Sequence, residues 1–387
     1  MRLMENAEHL FTAIAEAACS RREHSFYLLH EARLRRKAQQ MAEWFLPDYP
    51  ARRLAYAVKA NPLPRILDIL LEEGVNAFDC ASLQEIELVR RLDVGAEVMF
   101  NNPVKKRADI GRALRLGARH YTVQSAAELA KLRDCVGDAA IEVAVRLAVP
   151  NPHAAINLSE KFGAPAAQFR DLLAHVAGQS ATAPGLCFHV GSQCRDARAY
   201  VEAIAAAVAA AGGVELAFAN LGGGLPVAYT PDEGYRLDDF FAAINGAVRE
   251  HLLPRLAEGG KIYIEPGRAL VADAVYLAAP VLGVERRDGR FVYIDEGIWS
   301  SFINVALFGW PFRFDVVGRD MRPLAREREP AVLFGRTCDS TDRIGTVELP
   351  RDLAEGDILV FHDFGAYRGA LATSFNGFDA PRYVSLS

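Results

Sequence analysis

The order of apolar and polar positions along the chain predicts a long alternation of strands and helices. An Ala-rich amphipathic helix is predicted over 6–20, a strand over 25–29, and an Arg-rich helix that ends near Leu46. Apolar strand patterns then recur at 54–59, 75–79, 97–100, 119–123, 140–148, 185–190, 215–221 and 261–264. Helical patterns, such as those over 64–73 and 82–92, separate most of them. Strands that alternate with helices indicate a parallel sheet, and this many units predict a closed (β/α)8 barrel.

The pattern changes after Arg268, where strand-like segments follow one another with turn signals and few helical windows between them. These segments lie at 271–282, 291–294, 331–334 and 357–361. Such an arrangement favours an antiparallel β-sheet or β-barrel module. We therefore predict an α/β architecture with a cofactor-binding TIM barrel over 31–268 and a β domain formed by 1–30 and 269–387.

Composition narrows the classes of partner. The chain has 387 residues, of which 51% are hydrophobic, so it can bury a large core. A net charge of -5 provides no positive field for nucleic acid or an anionic membrane, so a small molecule or a second copy of the chain is expected. The six cysteines lack CxxC spacing, so neither a metal site nor a disulfide framework is predicted. No apolar run approaches the roughly 20 residues of a membrane span, and we expect a soluble cytoplasmic protein.

One lysine stands inside an apolar run that ends in a turn signal. The run Tyr56-Ala57-Val58-Lys59-Ala60-Asn61-Pro62 is typical of a buried strand in a parallel sheet. A buried ammonium without a partner shifts its pKa downward, which leaves a neutral amine suited to Schiff-base chemistry with an aldehyde. The alternative is a lysine that extends to solvent or pairs with a carboxylate.

Further candidate residues follow later strand patterns, at the strand ends where barrel active sites lie. They are His189, the triplet Gly222, Gly223 and Gly224, and the pair Glu265 and Arg268. Glycines let backbone N–H groups approach an anion, and an arginine offers two parallel donors to a phosphate. Taken singly, these features are also typical of a structural histidine, an ordinary turn and a surface ion pair. Together with Lys59 they predict a site for a phosphorylated aromatic aldehyde, pyridoxal 5'-phosphate.

The chain resembles the ornithine decarboxylase branch of the fold-type III pyridoxal-phosphate enzymes, with motifs in the same order along the sequence. Relatives in this group are lysine, arginine and diaminopimelate decarboxylases and, more distantly, alanine racemase. The resemblance runs from about residue 24 to the C-terminus. The residues that carry it are Tyr56–Pro62, Phe78–Ser82 with Glu85, His189–Gln193, Gly222–Gly224, Glu265–Arg268, Cys338–Asp342, Gly365–Tyr367 and Ser374–Phe378.

The resemblance implies a role for each matching residue. Lys59 would bind the cofactor aldehyde covalently, His189 would stack on the pyridine ring, and Glu265 would face the pyridine nitrogen and keep it protonated. The residues implied in phosphate binding are Ser192, Gly222, Gly223, Gly224, Arg268 and Tyr367. The residues implied to line the cofactor pocket are Asp79 and Arg146.

The resemblance also implies a homodimer whose two active sites are shared between subunits. Cys338 and Asp339 would enter from the partner chain, where Cys338 protonates the α-carbon after CO2 leaves and Asp339 binds the distal amine. Trp299 would also contact the substrate.

One segment departs from the family pattern. Ornithine decarboxylases typically carry a Tyr-Asp-His whose aspartate shares the distal ammonium, but here Glu296–Phe302 leads into Leu307–Phe312 with no acid. Loss of one of two carboxylates around a desolvated ammonium costs on the order of 2–5 kcal/mol. Either another acid such as Asp315 compensates, or the far end of the substrate is not a simple ammonium.

Three functions remain open at this point. The first is decarboxylation of a basic L-amino acid, with L-ornithine first (giving putrescine for polyamine biosynthesis) and L-lysine or L-arginine next. The second is the same reaction on a modified diamino acid, as in siderophore or other secondary metabolism, or on diaminopimelate. The third is a catalytically inactive homologue that regulates by binding.

Overall fold

The computed structural model describes residues 12–21 and 23–386, and the chain divides into two compact units. One unit comprises Leu34–Val227 and Gly234–Leu270. The other comprises the chain before Leu34, Ala228–Glu233 and the chain from Val271 onward. The predicted helix over 6–20 is observed as α1 at 12–20, and the rest of that prediction lies outside the described residues.

The first unit is built around a closed barrel of eight parallel strands, as the sequence predicted. Each strand pairs with the next one along the barrel, and the last pairs with the first through Ile262 and Arg52. The barrel strands are β2 (Arg52–Ala57), β3 (Ala77–Cys80), β4 (Glu97–Phe100), β5 (His120–Val123), β6 (Ile141–Arg146), β8 (Thr182–Cys187), β10 (Leu216–Asn220) and β11 (Leu256–Ile264). A two-stranded sheet of β7 (Ala154–Ile156) and β9 (Ser192–Cys194) was not predicted.

Helices connect most of the barrel strands. They are α2 (Glu31–Trp44), α3 (Pro64–Glu72), α4 (Leu83–Leu92), α5 (Arg107–Arg115), α6 (Ala126–Val136), α7 (Ala166–Ala177), α8 (Arg198–Ala211), α9 (Leu237–Ala247) and the short α10 (Arg268–Val271). Ser82 caps α4 by accepting a hydrogen bond from the Glu85 N–H (3.3 Å), and the Glu85 carboxylate accepts one from the Ala81 N–H (2.6 Å). Ser82 and Glu85 therefore have the spacing and contacts of a capping box at the start of α4.

Small and large side chains alternate in the barrel interior. Phe218 lies in a buried cluster with Met99 and Tyr263, and a Cβ at Gly185 would lie 2.2 Å from the Phe218 ring. Gly185 therefore makes room for Phe218, as the interior of an eight-stranded barrel must be filled by side chains.

An ionic cluster lies near the beginnings of the barrel strands. Lys261 Nζ contacts Glu97 Oε1 at 2.9 Å and Glu142 Oε1 at 3.2 Å, and His120 Nδ1 lies 3.3 Å from Glu142 Oε2. Burial alone would raise the pKa of Glu142, but His120 and Lys261 outweigh it and lower that pKa to about 2. The cluster is far along the strands from the candidate site residues, so its expected contribution is to stability.

Replacing Glu142 with Gln should lower the free energy of unfolding by about 1–3 kcal/mol at neutral pH. Because the folded-state pKa is depressed, this stabilisation is complete above the ordinary glutamate pKa and is lost as the pH falls towards 2. Urea unfolding of the wild type and Glu142→Gln should thus differ by a constant amount between pH 6 and 8 and converge in acid. The exposed Glu160→Gln serves as the control, and an equal effect there would contradict a role for the cluster.

The second unit contains an eight-stranded, mostly antiparallel sheet, which confirms the predicted class of this part of the chain. Its strands are β1 (Phe26–His30), β12 (Val275–Arg286), β13 (Arg290–Ile294), β14 (Phe314–Val317), β15 (Arg328–Phe334), β16 (Arg343–Pro350), β17 (Ile358–Phe361) and β18 (Arg382–Leu386). The long strand β12 pairs with β1, β13 and β17, all antiparallel, whereas the β1/β18 and β13/β15 pairs are parallel. The predicted strand over 271–282 is wrong at its start, because residues 268–274 form helical turns.

The helix α11 (Ile303–Phe308) follows β13 in this unit and ends at Gly309, which is left-handed (φ 62°). A helix of this length falls far short of a bilayer, and none of the other helices among the described residues is both long and apolar enough to cross one.

Candidate active site

Lys59 does not lie on a strand, which corrects the predicted strand over 54–59. Strand β2 ends at Ala57, and Lys59 occupies a single 3₁₀ turn over Val58–Ala60. The Tyr56 hydroxyl donates to the Asn61 carbonyl oxygen (2.9 Å) and so bridges the turn. The strand stops here because pairing with β3 ends at the Ala57 and Asp79 register, and the chain turns across the barrel mouth.

The Lys59 amine has a carboxylate partner. Its Nζ lies 2.5 Å from Asp79 Oδ2, with the Asp79 side chain 2% exposed and the Lys59 side chain 40% exposed. Of the two possibilities that the sequence left open for Lys59, pairing with a carboxylate is the one observed. Asp79 is well placed to hold the amine at the barrel mouth and to orient it.

His189 follows β8 and is a neutral imidazole. Burial lowers the pKa of His189 well below its usual value, and the nearby cations Arg146 and Lys59 lower it further. The Gly191 N–H donates to His189 Nδ1 (3.0 Å), which fixes that nitrogen as an acceptor and leaves the ring proton on Nε2. A neutral, oriented ring is suited to stacking on an aromatic cofactor.

The glycine triplet after β10 has no room for side chains. A Cβ at Gly222 would lie 2.1 Å from the Phe188 carbonyl oxygen, one at Gly223 2.7 Å from the Glu265 carbonyl oxygen, and one at Gly224 2.4 Å from the Gly191 carbonyl oxygen. Gly222 and Gly224 also have positive φ angles of 65° and 121°. The loop therefore needs glycine for steric reasons.

The three glycines do not offer equivalent donors. The Gly222 N–H donates to Asn220 Oδ1 (2.9 Å), so Gly222 shapes the loop and its N–H is already engaged by a side chain. Among the described residues, no acceptor pairs with the N–H groups of Gly223 and Gly224. These two consecutive donors form the kind of concave backbone site that binds phosphate.

Glu265 lies directly after β11, and two amides hold one of its oxygens. Asn101 Nδ2 and Asn220 Nδ2 donate to Glu265 Oε1 at 2.6 and 2.7 Å. Burial raises the pKa of Glu265 to about 7, the nearby Asp79 adds to this, and Lys59 and the Asn220 hydrogen bond oppose it. No hydrogen bond joins Oε2 to any residue in the described part of the chain, so this oxygen is available to a donor such as a pyridinium N–H.

Two arginines complete the cationic side of the barrel site. Arg268 is buried at the beginning of α10, where its Nη2 lies 3.4 Å from Ser192 Oγ. Arg146 is the last residue of β6, and its guanidinium lies 5.0 Å from the centre of the Phe162 ring. Arg268 therefore follows the last barrel strand, as predicted, and Arg146 ends β6, two residues before the predicted end of that strand.

The barrel residues fit pyridoxal phosphate. Two consecutive backbone N–H donors, the half-buried Ser192 hydroxyl and the buried Arg268 suit a phosphate, and the open Oε2 of Glu265 suits the ring nitrogen. Gly223 lies beside the His189 ring, because a Cβ at Gly223 would lie 3.1 Å from His189 Nε2. The donors and acceptors thus match both ends of the cofactor.

Three further predicted residues come together in the second unit. Asp339 Oδ2 accepts a hydrogen bond from Trp299 Nε1 (3.1 Å), and its Oδ1 accepts from the N–H and hydroxyl of Thr341 (both 2.9 Å). These hydrogen bonds, those from Thr341 first, lower the pKa of Asp339, so it is an oriented anion. Cys338 is exposed, and its N–H donates to Asn376 Oδ1 (3.1 Å).

Asp342 joins the loop of Cys338 and Asp339 to the loop of Trp299. Its buried carboxylate accepts hydrogen bonds from the Ile298 N–H (2.8 Å), the Thr337 N–H (3.1 Å) and the Thr337 hydroxyl (2.7 Å). A Cβ at either Gly297 or Gly335 would lie within 2.5 Å of this carboxylate. The two loops are therefore packed around one side chain.

Two further residues of the second unit have other partners. Tyr367 has a positive φ of 56°, and its carbonyl oxygen accepts from Asn304 Nδ2 (2.6 Å). Asp315, the suggested compensating acid, lies on β14 and pairs with His362 Nε2 at 2.7 Å. Its carboxylate is therefore already engaged by another side chain.

Neither Asn101 nor Asn220 was predicted from the sequence to be a site residue. Both follow the rule that located the other residues, because Asn101 comes directly after β4 and Asn220 ends β10. A polar side chain at a barrel strand end was the available signal.

Comparison with known proteins agrees with this geometry. Residues 31–272 match the family model described as pyridoxal-dependent decarboxylase, pyridoxal binding domain. A lysine/ornithine decarboxylase from Selenomonas ruminantium is 33% identical over 366 residues, covering 90% of this chain and 89% of the relative. Antizyme inhibitor 2 from Xenopus laevis is 33% identical over 354 residues, covering 86% and 75% respectively.

A solved structure extends the similarity to the fold. The lysine/ornithine decarboxylase from Vibrio vulnificus, crystallised with putrescine, superposes with a TM-score of 0.82 at 31% identity, covering 96% of this chain and 97% of the other. The match to the family model spans more than half of the chain, and the relatives match along most of their own length. The chain therefore belongs to the pyridoxal-dependent decarboxylase family and is a pyridoxal-phosphate-dependent amino-acid decarboxylase.

Proposed function

We propose that the enzyme decarboxylates a basic L-amino acid, with L-ornithine as the preferred substrate and putrescine as its product. L-Lysine and L-arginine are the next candidates. The observation that carries this proposal is Asp339, an ionised carboxylate held by Thr341 and Trp299 beside the exposed Cys338. A fixed anion of this kind suits the distal cation of a basic amino acid. The names of the relatives from Selenomonas and Vibrio support the same substrate class.

Each barrel residue has a proposed task in the reaction. Lys59 holds the cofactor aldehyde and is oriented by Asp79, while the loop Gly222–Gly224, Ser192 and Arg268 hold the phosphate. His189 supports the ring face, and Arg146 lines the pocket. Bound pyridoxal phosphate supplies an electron-accepting ring for the electron pair released as CO2 leaves, and Glu265 holds a proton at the ring nitrogen to sustain this.

The final proton transfer is assigned to Cys338. We propose that its thiol delivers a proton to the substrate α-carbon after CO2 has left, while Trp299 and Asp339 hold the far end of the substrate. Both loops belong to the second unit, and we propose that they serve the barrel of the partner chain in a homodimer. The exposure of Cys338 within one chain supports this arrangement.

A second candidate substrate is a diamino acid whose far end is modified and uncharged. The segment after α11 carries no acid, Phe308 and Trp310 contact each other with ring centres 5.3 Å apart, and Tyr229 stacks on Trp310 at 5.9 Å. Asp315 is engaged by His362. An aromatic surface suits an acyl group better than an ammonium.

Release of CO2 from a panel of amino acids tests these proposals. The panel comprises L-ornithine, L-lysine, L-arginine, meso-diaminopimelate and ornithine acylated on its side-chain nitrogen. The highest kcat/KM is expected for L-ornithine. A higher value for the acylated amino acid would replace the first proposal with the second, and no CO2 from any of them would support an inactive, binding homologue.

Replacing Asp339 with Asn should lower kcat/KM for L-ornithine by about 30-fold or more, because the distal ammonium then loses the carboxylate proposed to bind it. The acylated substrate should be affected much less. The hairpin-tip variant Asp288→Asn makes the same chemical change at an exposed position and should retain wild-type rates. Equal losses for charged and acylated substrates would indicate that Asp339 only supports the loop.

A further inference from the structure

We infer that Asn101 and Asn220 are positioning residues that hold Oε1 of Glu265 and so present Oε2 to the pyridine nitrogen of the cofactor. This inference rests on the proposed role of Glu265 opposite that nitrogen. Both amides donate to the same oxygen, at 2.6 and 2.7 Å, from the ends of two different barrel strands. A carboxylate held at one oxygen by two donors has little freedom to rotate.

The orientation of each amide is itself determined. Asn220 Oδ1 accepts from the Gly222 backbone N–H (2.9 Å), and because a backbone N–H can only donate, the amide nitrogen of Asn220 must face Glu265. Asn101 Oδ1 accepts from the hydroxyl of the buried Thr122 (2.9 Å), and because a carboxylate only accepts, the amide nitrogen of Asn101 must face Glu265. A flip of Asn220 would lose both of its hydrogen bonds, and a flip of Asn101 would lose its hydrogen bond to Glu265.

The charges around Glu265 explain why donors are needed. Burial and the carboxylate of Asp79 on β3 both favour protonation of Glu265, whereas Lys59 and Arg146 on β6 oppose it. Hydrogen bonds to a carboxylate favour its charged form. Two N–H donors on Oε1 therefore help to keep Glu265 ionised at neutral pH, and they leave Oε2 as the oxygen that can accept from the ring.

Variants of Thr122 test the inference most directly, because the Thr122 hydroxyl hydrogen-bonds to Asn101 and so acts on Glu265 only through Asn101. Its backbone is held from the other side by the buried Lys105, whose Nζ donates to the Thr122 carbonyl oxygen (2.6 Å). Thr122→Val removes the hydroxyl that orients Asn101 at nearly constant volume, whereas Thr122→Ser retains it. Asn101→Ala removes the donor itself, and Asn76→Ala is a matched control at an exposed position of the same barrel unit.

The experiment measures three quantities on each purified holoenzyme: kcat against pH, the pH midpoint of the absorbance change of the bound cofactor, and the affinity of the apoenzyme for pyridoxal phosphate. Asn101→Ala should lower kcat at pH 7 roughly tenfold, which corresponds to loss of one hydrogen bond to a charged group. Its acid limb and absorbance midpoint should move to higher pH, while cofactor affinity stays near the wild-type value. Thr122→Val should follow in the same direction, and Thr122→Ser and Asn76→Ala should resemble the wild type.

Failure of the inference can be told apart from failure of the proposed role of Glu265. If Glu265→Gln changes the absorbance and kcat but Asn101→Ala changes neither, the amides do not position Glu265. Equal effects of Thr122→Val and Thr122→Ser, or a loss of cofactor affinity without a shifted midpoint, would also overturn the inference. If Glu265→Gln itself leaves the absorbance and kcat unchanged, the assignment of Glu265 to the ring nitrogen fails.

Discussion

Lys59→Ala should abolish decarboxylation, lowering kcat by about three orders of magnitude or more, because the amine that holds the cofactor aldehyde is lost. Borohydride reduction of the wild type followed by mass spectrometry should attach the cofactor to the peptide that contains Lys59. The same treatment of Lys59→Ala should attach none there. The amine lies 2.5 Å from Asp79 at the end of β2, so it is already oriented before any substrate binds.

Two controls separate the loss of the amine from the loss of an ion pair. Lys59→Arg keeps a cation beside Asp79 but cannot hold the aldehyde, so it should be as inactive as the alanine variant. Lys106→Ala removes an exposed lysine of the same barrel unit and should be fully active. A Lys59→Ala enzyme with near-normal turnover would refute the central assignment.

Mixing Lys59→Ala with Cys338→Ala should restore activity that neither variant has alone. If each site combines the barrel of one chain with the Cys338 loop of its partner, a mixed dimer contains one site with both residues intact. Free exchange of equimolar chains then gives about a quarter of the sites in that state. Activity should rise towards about a quarter of the wild-type value, and the rate of this rise should equal the rate at which subunits exchange.

A second mixture provides the negative control. Lys59 and Glu265 both belong to the barrel unit, so Lys59→Ala and Glu265→Gln should not complement each other in any combination. Complementation by that pair would show that chain mixing raises activity for another reason. Proven exchange without recovery in the first mixture would place the whole site in one chain.

The sequence was sufficient to predict the barrel, because eight apolar strand patterns separated by helical ones leave few other arrangements. It also located Lys59, His189, Glu265 and Arg268, since residues after parallel strands meet at one end of a barrel. It could not predict that Lys59 pairs with Asp79, because which strand-end side chains touch depends on register and rotamer. For the same reason, the contacts of Asn101 and Asn220 with Glu265 could not be predicted.

Short edge elements were also missed. Strands β14, β16 and β18 and the small sheet of β7 and β9 carry no strong local pattern, and they are stabilised by pairing with distant segments. The contact of the Gly222 N–H with Asn220 could not be predicted for a similar reason. A glycine can serve as a donor or as a space for another backbone, and only the contact with Asn220 distinguishes the two.

The packing around Asp342 bears on how substrate preference can be changed. Because its carboxylate fills the space beside Gly297 and Gly335 and binds Ile298 and Thr337, the Trp299 and Asp339 loops share one scaffold. A library that varies one loop alone would therefore generate many misfolded members and few with altered selectivity. When loops are exchanged with those of a relative, residues 297–299 and 335–342 should be replaced together, although they are separated in sequence.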